Sequence, residues 1–293
     1  MTRLITALLV TFLALAPAGQ LSAQLLKAEA PIRVGHYHLN VSSVDEHKKF
    51  WVDTLGGVAT KVGTTEAVRF GDVFVLLRPQ KPTGPTRGTT FDHIGVAVPN
   101  VPEFAKKVVS AGYGRTVGRE TATATAQAPG TPSPVYGAFE YLLGPDGVKI
   151  EVVTNKEPNA PPIVHHHVHF TNPQYVEMGR WFMNALNATE RAGGTDFFFG
   201  ADLPGIGYML NFFKWEMNEP LVGTAGRAVD HVGFEVRNLE EFARGLAAKG
   251  IKSSPYRPAP TLNNVGSVSL MDPWGTSIEL TEGLDKSIAA SEK

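Results

Sequence analysis

Histidine placement is the most informative feature of this sequence. The chain of 293 residues has nine histidines and no cysteine, so a metal site would use imidazoles and carboxylates rather than thiolates. Eight of the nine lie at or beside segments in which apolar and polar residues alternate, as in half-buried strands. These eight are His36, His38, His93, His165, His166, His167, His169 and His231. Because imidazole binds divalent metals and titrates near neutral pH, the clustering predicts metal binding or proton transfer.

Two glutamates share a second pattern. Glu151 lies within Lys149–Val152 (KIEV) and Glu279 within Ser277–Leu280 (SIEL), each between apolar neighbours. Alternation points each carboxylate away from those neighbours, and it places one histidine in each of four strands on the equivalent face. These histidines are His36, His93, His167 and His231. A lone histidine in a strand more often packs in a core, but the repetition favours ligands. Two imidazoles and one carboxylate would leave about three positions open on an octahedral ion.

The elements that carry these residues repeat in the order A-B-A′-B′. His36–Asn40 aligns with His167–Thr171, and Phe91–Val96 aligns with Val229–Phe234. Each repeat begins with an alternating strand, continues into a helix with a capping residue, and ends in three strands. The predicted modules span residues 33–79, 90–154, 164–216 and 228–282. The sequence therefore predicts an α+β fold of four βαβββ modules.

This succession of elements resembles the vicinal-oxygen-chelate (VOC) superfamily of glyoxalases, bleomycin-resistance proteins and type I extradiol dioxygenases. The shared motifs are the histidine in the first strand, a D-P-x-G-like turn at Asp272–Gly275, and a last strand carrying I-E-[LV]. The resemblance implies that two modules pair into one curved sheet around a metal-binding cavity. Pairing of consecutive modules predicts one VOC domain at residues 33–155 and a second at residues 163–282.

The implied pairing predicts two ligand trios. They are His36, His93 and Glu151 in the first domain, and His167, His231 and Glu279 in the second. Their order resembles the ligand order of extradiol dioxygenases, and the second domain is expected to be the occupied one. Fe²⁺ or Mn²⁺ is favoured, with Zn²⁺ and Ni²⁺ as alternatives. Glyoxalase I sites also use an acid from the last strand of the odd module; here Asn211 is the nearest substitute.

Three further residues are candidates for catalysis. Tyr141 precedes Glu151 by ten residues, a place similar to that of the catalytic tyrosine of extradiol dioxygenases, although a packing role is the alternative. His38 and His169 follow the first histidine of their strands by two residues and share its face. They are interpreted as proton carriers, alternative ligands or partners of the ligands. Of the remaining histidines, His47 is expected to be solvated on a helix, and His165 and His166 are expected at a strand edge or at the surface.

Composition and the N-terminus complete the prediction. The formal net charge is −1, so no basic field favours nucleic acid or an anionic membrane. Residues 1–23 combine Arg3, a short apolar run and small-residue cleavage sites, which indicates a Sec-type signal peptide and export to the periplasm or medium. Residues 283–293 are expected to form a polar tail. After removal of the signal, no membrane association is expected.

The resemblance implies a metal-dependent enzyme for a small molecule with two adjacent oxygens. A dioxygenase, a lyase and an isomerase all remain open, as does a homodimer. The alternative is a metal-free protein that sequesters an aromatic ligand, as bleomycin-resistance proteins do. Trp181, Phe182 and the run Phe197–Phe199 could supply its aromatic surface. The two trios favour the enzyme.

Overall fold

The protein is described here by a computed structural model. It describes residues 30–121, 131–133, 137–158, 161–205 and 209–287. The expected signal peptide at residues 1–23 and the end of the polar tail lie outside these ranges, so both stay predictions. No helix within these ranges has the length and apolar character needed to cross a membrane.

Each module follows the predicted order of strand, helix and further strands. Module 1 contains β1 (Ile32–Val41), α1 (Val44–Lys48) running into a π-helical turn (Lys49–Thr54), β2 (Val58–Val62), β3 (Thr65–Phe70) and β4 (Val73–Pro79). Module 2 contains β5 (Phe91–Val98), α2 (Val101–Ser110), β6 (Gly114–Arg115), β7 (Thr131–Ser133), β8 (Gly137–Leu143) and β9 (Lys149–Thr154).

The second half repeats this order. Module 3 contains β10 (Val164–Asn172), α3 (Tyr175–Leu186), β11 (Thr189–Glu190), β12 (Phe198–Asp202) and β13 (Met209–Lys214). Module 4 contains β14 (Val229–Val236), α4 (Leu239–Ala248), β15 (Arg257–Ala259), β16 (Val265–Met271) and β17 (Ser277–Glu282). Short 3-10 turns occur at Pro145–Gly147, Pro260–Leu262 and Leu284–Ser287. The α+β class and its four modules are confirmed.

The pairing of the modules differs from the prediction. Strand β1 pairs antiparallel with β14, so modules 1 and 4 form one sheet, in the order β15-β16-β17-β14-β1-β4-β3-β2. Strand β10 pairs antiparallel with β5, so modules 2 and 3 form the other, in the order β11-β12-β13-β10-β5-β9-β8-β6, with β7 beside β8. We call these sheet I and sheet II. Pairing of consecutive modules within residues 33–155 and 163–282 is therefore wrong.

The physical reason for this exchange lies in the two linkers between odd and even modules. Residues 80–90 lead from sheet I to sheet II, and residues 215–228 lead back. The two linkers run side by side and are joined through backbone hydrogen bonds. These include Thr83 N–H to Gly226 O at 2.9 Å and Val222 N–H to Gly88 O at 3.0 Å. Since both linkers cross between the sheets at one place, each odd module meets the even module of the other half.

The two sheets share one apolar core. In β1 the alternation holds, with Tyr37 and Leu39 fully buried on the core side. The Tyr37 ring contacts Phe91 of sheet II edge-on, with ring centroids 5.9 Å apart. Its hydroxyl lies 2.7 Å from Nε2 of His165. His165 is therefore buried between the sheets, and its expected place at the surface is wrong.

His47 also differs from its expected exposure. It is fully buried, and its Nε2 lies 3.1 Å from Oδ2 of Asp146, in the turn between β8 and β9. Asp146 also accepts hydrogen bonds from the backbone N–H and the hydroxyl of Ser42, at 2.7 and 2.6 Å. This turn of module 2 therefore holds the start of α1 in module 1, and it links the two sheets.

Candidate metal centres

The structure gathers the six predicted ligands into two clusters, but in a different grouping. Cluster I, in sheet I, consists of His36, His231 and Glu279. Cluster II, in sheet II, consists of His93, Glu151, His167 and His169. The predicted trios His36–His93–Glu151 and His167–His231–Glu279 are wrong because module 1 pairs with module 4 and module 2 with module 3. Each cluster still combines the predicted histidine of an odd module with the histidine and glutamate of an even module, and cluster II adds His169 from the same strand as His167.

Cluster I has the spacing of ligands around one ion. The Nε2 atoms of His36 and His231 lie 3.1 and 3.3 Å from Oε2 of Glu279. Two metal–ligand bonds of about 2.1 Å at a right angle place their donor atoms about 3 Å apart. Both imidazole nitrogens therefore lie at the distance from Oε2 expected of adjacent coordination positions, and all three donors lie within 4.8 Å of one another.

A surrounding layer of polar groups orients these donors. Nδ1 of His231 lies 2.8 Å from Oδ1 of Asp230, so the Nδ1–H donates there and Nε2 is the nitrogen that faces the cluster. The other carboxylate oxygen of Asp230 accepts from the backbone N–H of Gly226 at 2.8 Å. The Ser267 hydroxyl donates to Oε1 of Glu279, which leaves Oε2 facing the imidazoles.

Cluster II repeats this arrangement with one more imidazole. Nε2 of His93 lies 2.9 Å from Oε2 of Glu151, and Nε2 of His167 lies 3.0 Å from the same oxygen. Nδ1 of His169 lies 3.1 Å from Nε2 of His93. Asp92 contacts Nδ1 of His93 at 2.5 Å, as Asp230 contacts His231. The four side chains therefore fit a single ion, with three imidazoles and one carboxylate.

Glycines make room for the ligand rings. Gly233 stands opposite His36 in β14, and a methyl group there would lie 2.0 Å from Cε1 of that imidazole. Gly95 stands opposite His167 in β5, where a methyl group would lie 2.1 Å from Nδ1. Such distances are far inside van der Waals contact, so both positions require glycine as long as the rings stay in place.

Electrostatics hold both glutamates ionised. Burial alone would raise the pKa of Glu279, but hydrogen bonds from His231 and His36 hold it well below its ordinary value. Glu151 shows the same balance, with His167 and His93 as donors, and its pKa is also well below the ordinary value. Burial lowers the pKa of His36, so that ring is neutral at pH 7. A charged carboxylate beside a neutral imidazole is the donor set that a divalent ion requires.

The two even-module histidines behave differently in the metal-free protein. Burial lowers the pKa of His231, but hydrogen bonds to Asp230 and Glu279 outweigh it and raise the pKa to about 9. The pKa of His93 is also raised, because Asp92 and Glu151 outweigh the effect of burial. His231 therefore carries a proton between two carboxylates at neutral pH, at the place where a cation would bind.

Cluster I opens onto a cavity of about 900 Å³. His231 and Glu279 line it, together with His38, whose ring centroid lies 4.7 Å from that of His231. Burial, followed by the charges of His231 and Arg78, lowers the pKa of His38 well below its ordinary value. The cavity wall also carries cationic and hydroxyl side chains. These are Arg78, Lys252, Arg257, Ser267 and Ser269.

Tyr141 lies in sheet II, beside cluster II. It is the strand partner of Glu151, and its ring meets His93 edge-on with centroids 5.4 Å apart. In the last strands of the odd modules, Leu76 and Asn211 pair with His38 and His169. The Asn211 oxygen accepts a hydrogen bond from Arg191 at 2.5 Å, so it is already engaged.

The sequence analysis missed Asp92 and Asp230 as functional residues. Both are in the aligned D-H-[IV]-G motif of the even modules, directly before a ligand histidine. The signal was therefore present, as an acid repeated beside an imidazole. Successive strand residues point to opposite faces, so alternation gave no reason to expect contact between neighbours. The pairs form because each histidine stands at a register shift, after which the strand pairing resumes out of step.

The two curled sheets, each of two βαβββ modules with histidine and glutamate at its centre, define a glyoxalase-like VOC fold with two domains. Residues 33–152 match the model of the "Glyoxalase/Bleomycin resistance protein/Dioxygenase superfamily". The resemblance to this superfamily is thus confirmed.

Solved structures share the fold over most of the chain. Glyoxalase I from Zea mays is 20% identical, with 87% of this chain and 94% of that chain covered and a TM-score of 0.65. A "putative dioxygenase" from Bacillus subtilis subsp. subtilis str. 168 is 13% identical, with 87% and 86% covered and a TM-score of 0.63. At these identities the likeness shows the fold and not the reaction. No curated protein matches the sequence significantly.

Proposed function

We propose that the chain is a metal-dependent enzyme that acts at cluster I on a small molecule with two adjacent oxygens. The observation that carries the proposal is the placement of the His36 and His231 Nε2 atoms 3.1 and 3.3 Å from Oε2 of Glu279, with His231 and Glu279 in the wall of a cavity of about 900 Å³. Three protein ligands leave coordination positions open toward that cavity, as catalytic sites require. A divalent metal bound there would act as Lewis acid and template for the two oxygens.

His38 is the proton carrier in this proposal. It is an imidazole in the cavity wall that is not part of the three-ligand set, and it stands next to His231. It can therefore accept a proton from a substrate group held in front of cluster I. Replacing it as His38→Gln should lower turnover about 100-fold and leave bound metal unchanged. Elemental analysis beside the assay separates these two effects.

The charges of the cavity favour a substrate with an anionic end. Both acids of the wall are engaged, Asp230 with His231 and Glu279 with the two imidazoles. Lys252 and Arg257 form no ion pair with any described residue. Two cations without ion-pair partners among the described residues, in the same cavity wall as a metal site, suit a molecule that chelates at one end and carries a carboxylate at the other.

Two chelating probes test the proposal. Acetohydroxamate binds metals through two adjacent oxygens, and succinate monohydroxamate adds a carboxylate. We expect both to bind the metal-loaded protein, the second roughly tenfold more tightly, with that advantage lost in the Lys252→Ala/Arg257→Ala variant. Glu279→Gln keeps the shape of the side chain but removes its charge, and should abolish binding of both.

The outcome decides between the two functions. A protein that acquires no metal at cluster I, or whose metal accepts neither hydroxamate, is not this enzyme, and the metal-free binding function replaces it. O₂ uptake with a panel of catechols then separates oxygen insertion from lyase and isomerase chemistry, which consume no O₂.

A further inference from the structure

We propose that cluster II is a closed, four-ligand metal site that stabilises the fold, and that His169 is its fourth ligand. All four side chains are buried, with exposed fractions of 0% for His93 and His167, 2% for His169 and 5% for Glu151. Their donor atoms all lie within 4.8 Å of one another. Structural metal sites are closed to solvent, whereas catalytic sites keep a position open; every cluster II ligand is buried, whereas His231 and Glu279 of cluster I face a cavity. By this criterion the two clusters have different roles.

His169 has no other polar role in the described structure. Its Nδ1 faces Nε2 of His93, and its Nε2 is buried without a hydrogen-bond partner. A buried imidazole without partners outside the cluster is costly unless it binds something there. A cation shared with His93 and Glu151 would remove that cost.

The neighbouring strand explains why His169 joins cluster II while His38 stays outside cluster I. The two histidines occupy equivalent registers, opposite His93 and His231. The Phe213 ring lies against His169, with centroids 3.8 Å apart, and holds it in the cluster. In sheet I the equivalent position is Arg78, two residues beyond the partner of His38, and its guanidinium lines the cavity. An apolar ring in one sheet and a cation in the other thus separate a closed site from an open one.

The position of cluster II suits a stabilising role. Its ligands come from β5 and β9 of module 2 and from β10 of module 3, so one ion would join both modules across the centre of sheet II. Three imidazoles and one carboxylate in a closed, four-coordinate arrangement favour Zn²⁺ over six-coordinate ions. An ion that binds the folded protein but not the unfolded chain raises the stability of the fold.

The test uses the full mature chain, stripped of metal and titrated with Zn²⁺ or Co²⁺. We expect two ions per chain. The ion at cluster II should raise Tm by at least about 5 °C. Glu151→Gln should bind one ion and lose the rise in Tm. The matched variant Glu279→Gln should also bind one ion but retain the rise in Tm. His169→Gln should weaken one site about 10–100-fold, and the matched His38→Gln should leave both intact.

Co²⁺ distinguishes a closed site from an open one, since four-coordinate Co²⁺ absorbs visible light far more strongly than six-coordinate Co²⁺. In Glu279→Gln, which retains only cluster II, we expect the strong spectrum and no change with acetohydroxamate. A weak spectrum that changes with acetohydroxamate would make cluster II an open site and overturn the proposal. Binding of two ions by Glu151→Gln, with an unchanged rise in Tm, would also overturn the proposal. Neither result bears on the catalytic role of cluster I, which Glu151→Gln tests separately through hydroxamate binding.

Discussion

At the scale of single residues, the pairing of an aspartate with the following histidine determines how each imidazole can act. Asp230 accepts the Nδ1 proton of His231, and Asp92 does the same for His93. When a metal replaces the Nε2 proton, the lone pair that binds it is therefore on Nε2, which faces the glutamate of the cluster. The same strand register in both sheets produces the pair, so it is part of the module and not an accident of one site.

This pairing leads to a prediction for Asp230→Asn. The amide cannot accept the proton with the strength of a carboxylate, and the ring is then free to present the wrong nitrogen. We expect the affinity of cluster I for metal to fall about 10–100-fold with little change in cluster II. Competition titration with a chromophoric chelator measures both. The control, Asp92→Asn, should show the reverse pattern; equal losses at both clusters in either variant would contradict the assignment.

Most of the candidate ligands could be predicted from residue type and alternation, because a strand exposes every second side chain to one face. His47 and His165 could not be placed in the same way. Each is buried by a partner distant in the sequence, Asp146 for His47 and Tyr37 for His165. The sequence around each histidine does not reveal such a partner. Both histidines are therefore predicted to be exposed, as polar side chains usually are.

At the scale of elements, the central strand pair of each sheet positions the ligands. In β1 and β14, the imidazole of His36 occupies the space that a side chain at position 233 would need. Gly233→Ala should therefore displace His36 and lower metal affinity at cluster I by at least about 100-fold, while cluster II keeps its metal. Elemental analysis per chain reads the result directly.

A matched glycine controls for the effect of the substitution itself. Gly245 lies in α4, and a methyl group there would contact nothing within 4 Å. Gly245→Ala should keep both sites and stabilise the helix by about 0.5–1 kcal/mol. Full metal content in Gly233→Ala would mean that His36 is not a ligand.

The first residues of the helices show which caps the local sequence can predict. Ser43 and Asn100 cap α1 and α2, each side chain accepting a hydrogen bond from the backbone N–H three residues later. Asn238 does not cap α4 with its side chain, because it adopts a left-handed conformation, and Glu282 from β17 accepts the backbone N–H groups instead. A cap supplied by another strand cannot be predicted from the sequence around the helix.

The contact between α1 and the β8–β9 turn predicts a pH dependence. Burial lowers the pKa of His47, and its bond to Asp146 offsets only part of this effect. Below about pH 6.5 the unfolded chain therefore binds a proton that the folded protein resists, so stability falls as pH decreases through this range. Asp146 itself, whose pKa is lowered, loses its contribution only below its ordinary value of 3.8.

The Tm of the wild type and of His47→Gln, compared at pH 7.5 and pH 5, measures this contribution. The advantage of the wild type should shrink at pH 5, by no more than about 1.4 kcal/mol per pH unit, because one proton is involved. An advantage that grows on acidification would show that His47 is charged in the folded state.

At the scale of the whole molecule, the exchange of modules between the sheets is the property that the sequence did not reveal. Every module offers the same kind of first strand, so β1 could pair with β5 or with β14 and satisfy the same alternation. The choice depends on hydrogen bonds between linkers more than 100 residues apart, such as Gly88 to Val222. The α+β class and the four modules follow from local periodicity in the sequence. Which modules pair in a sheet depends on contacts between distant parts of the chain.

This exchange predicts how the chain behaves when it is divided after Ala160. The first half keeps β1 without β14 and β5 without β10, so each of these strands loses one of its two partners and neither cluster is complete. Each half expressed alone should therefore fail to form a metal-binding monomer, and should aggregate or pair with a second copy through its free strand edges. The two halves expressed together should associate into one particle with two metal sites. Sedimentation velocity combined with metal analysis distinguishes these states, and a monomeric half that binds one metal would show that consecutive modules pair after all.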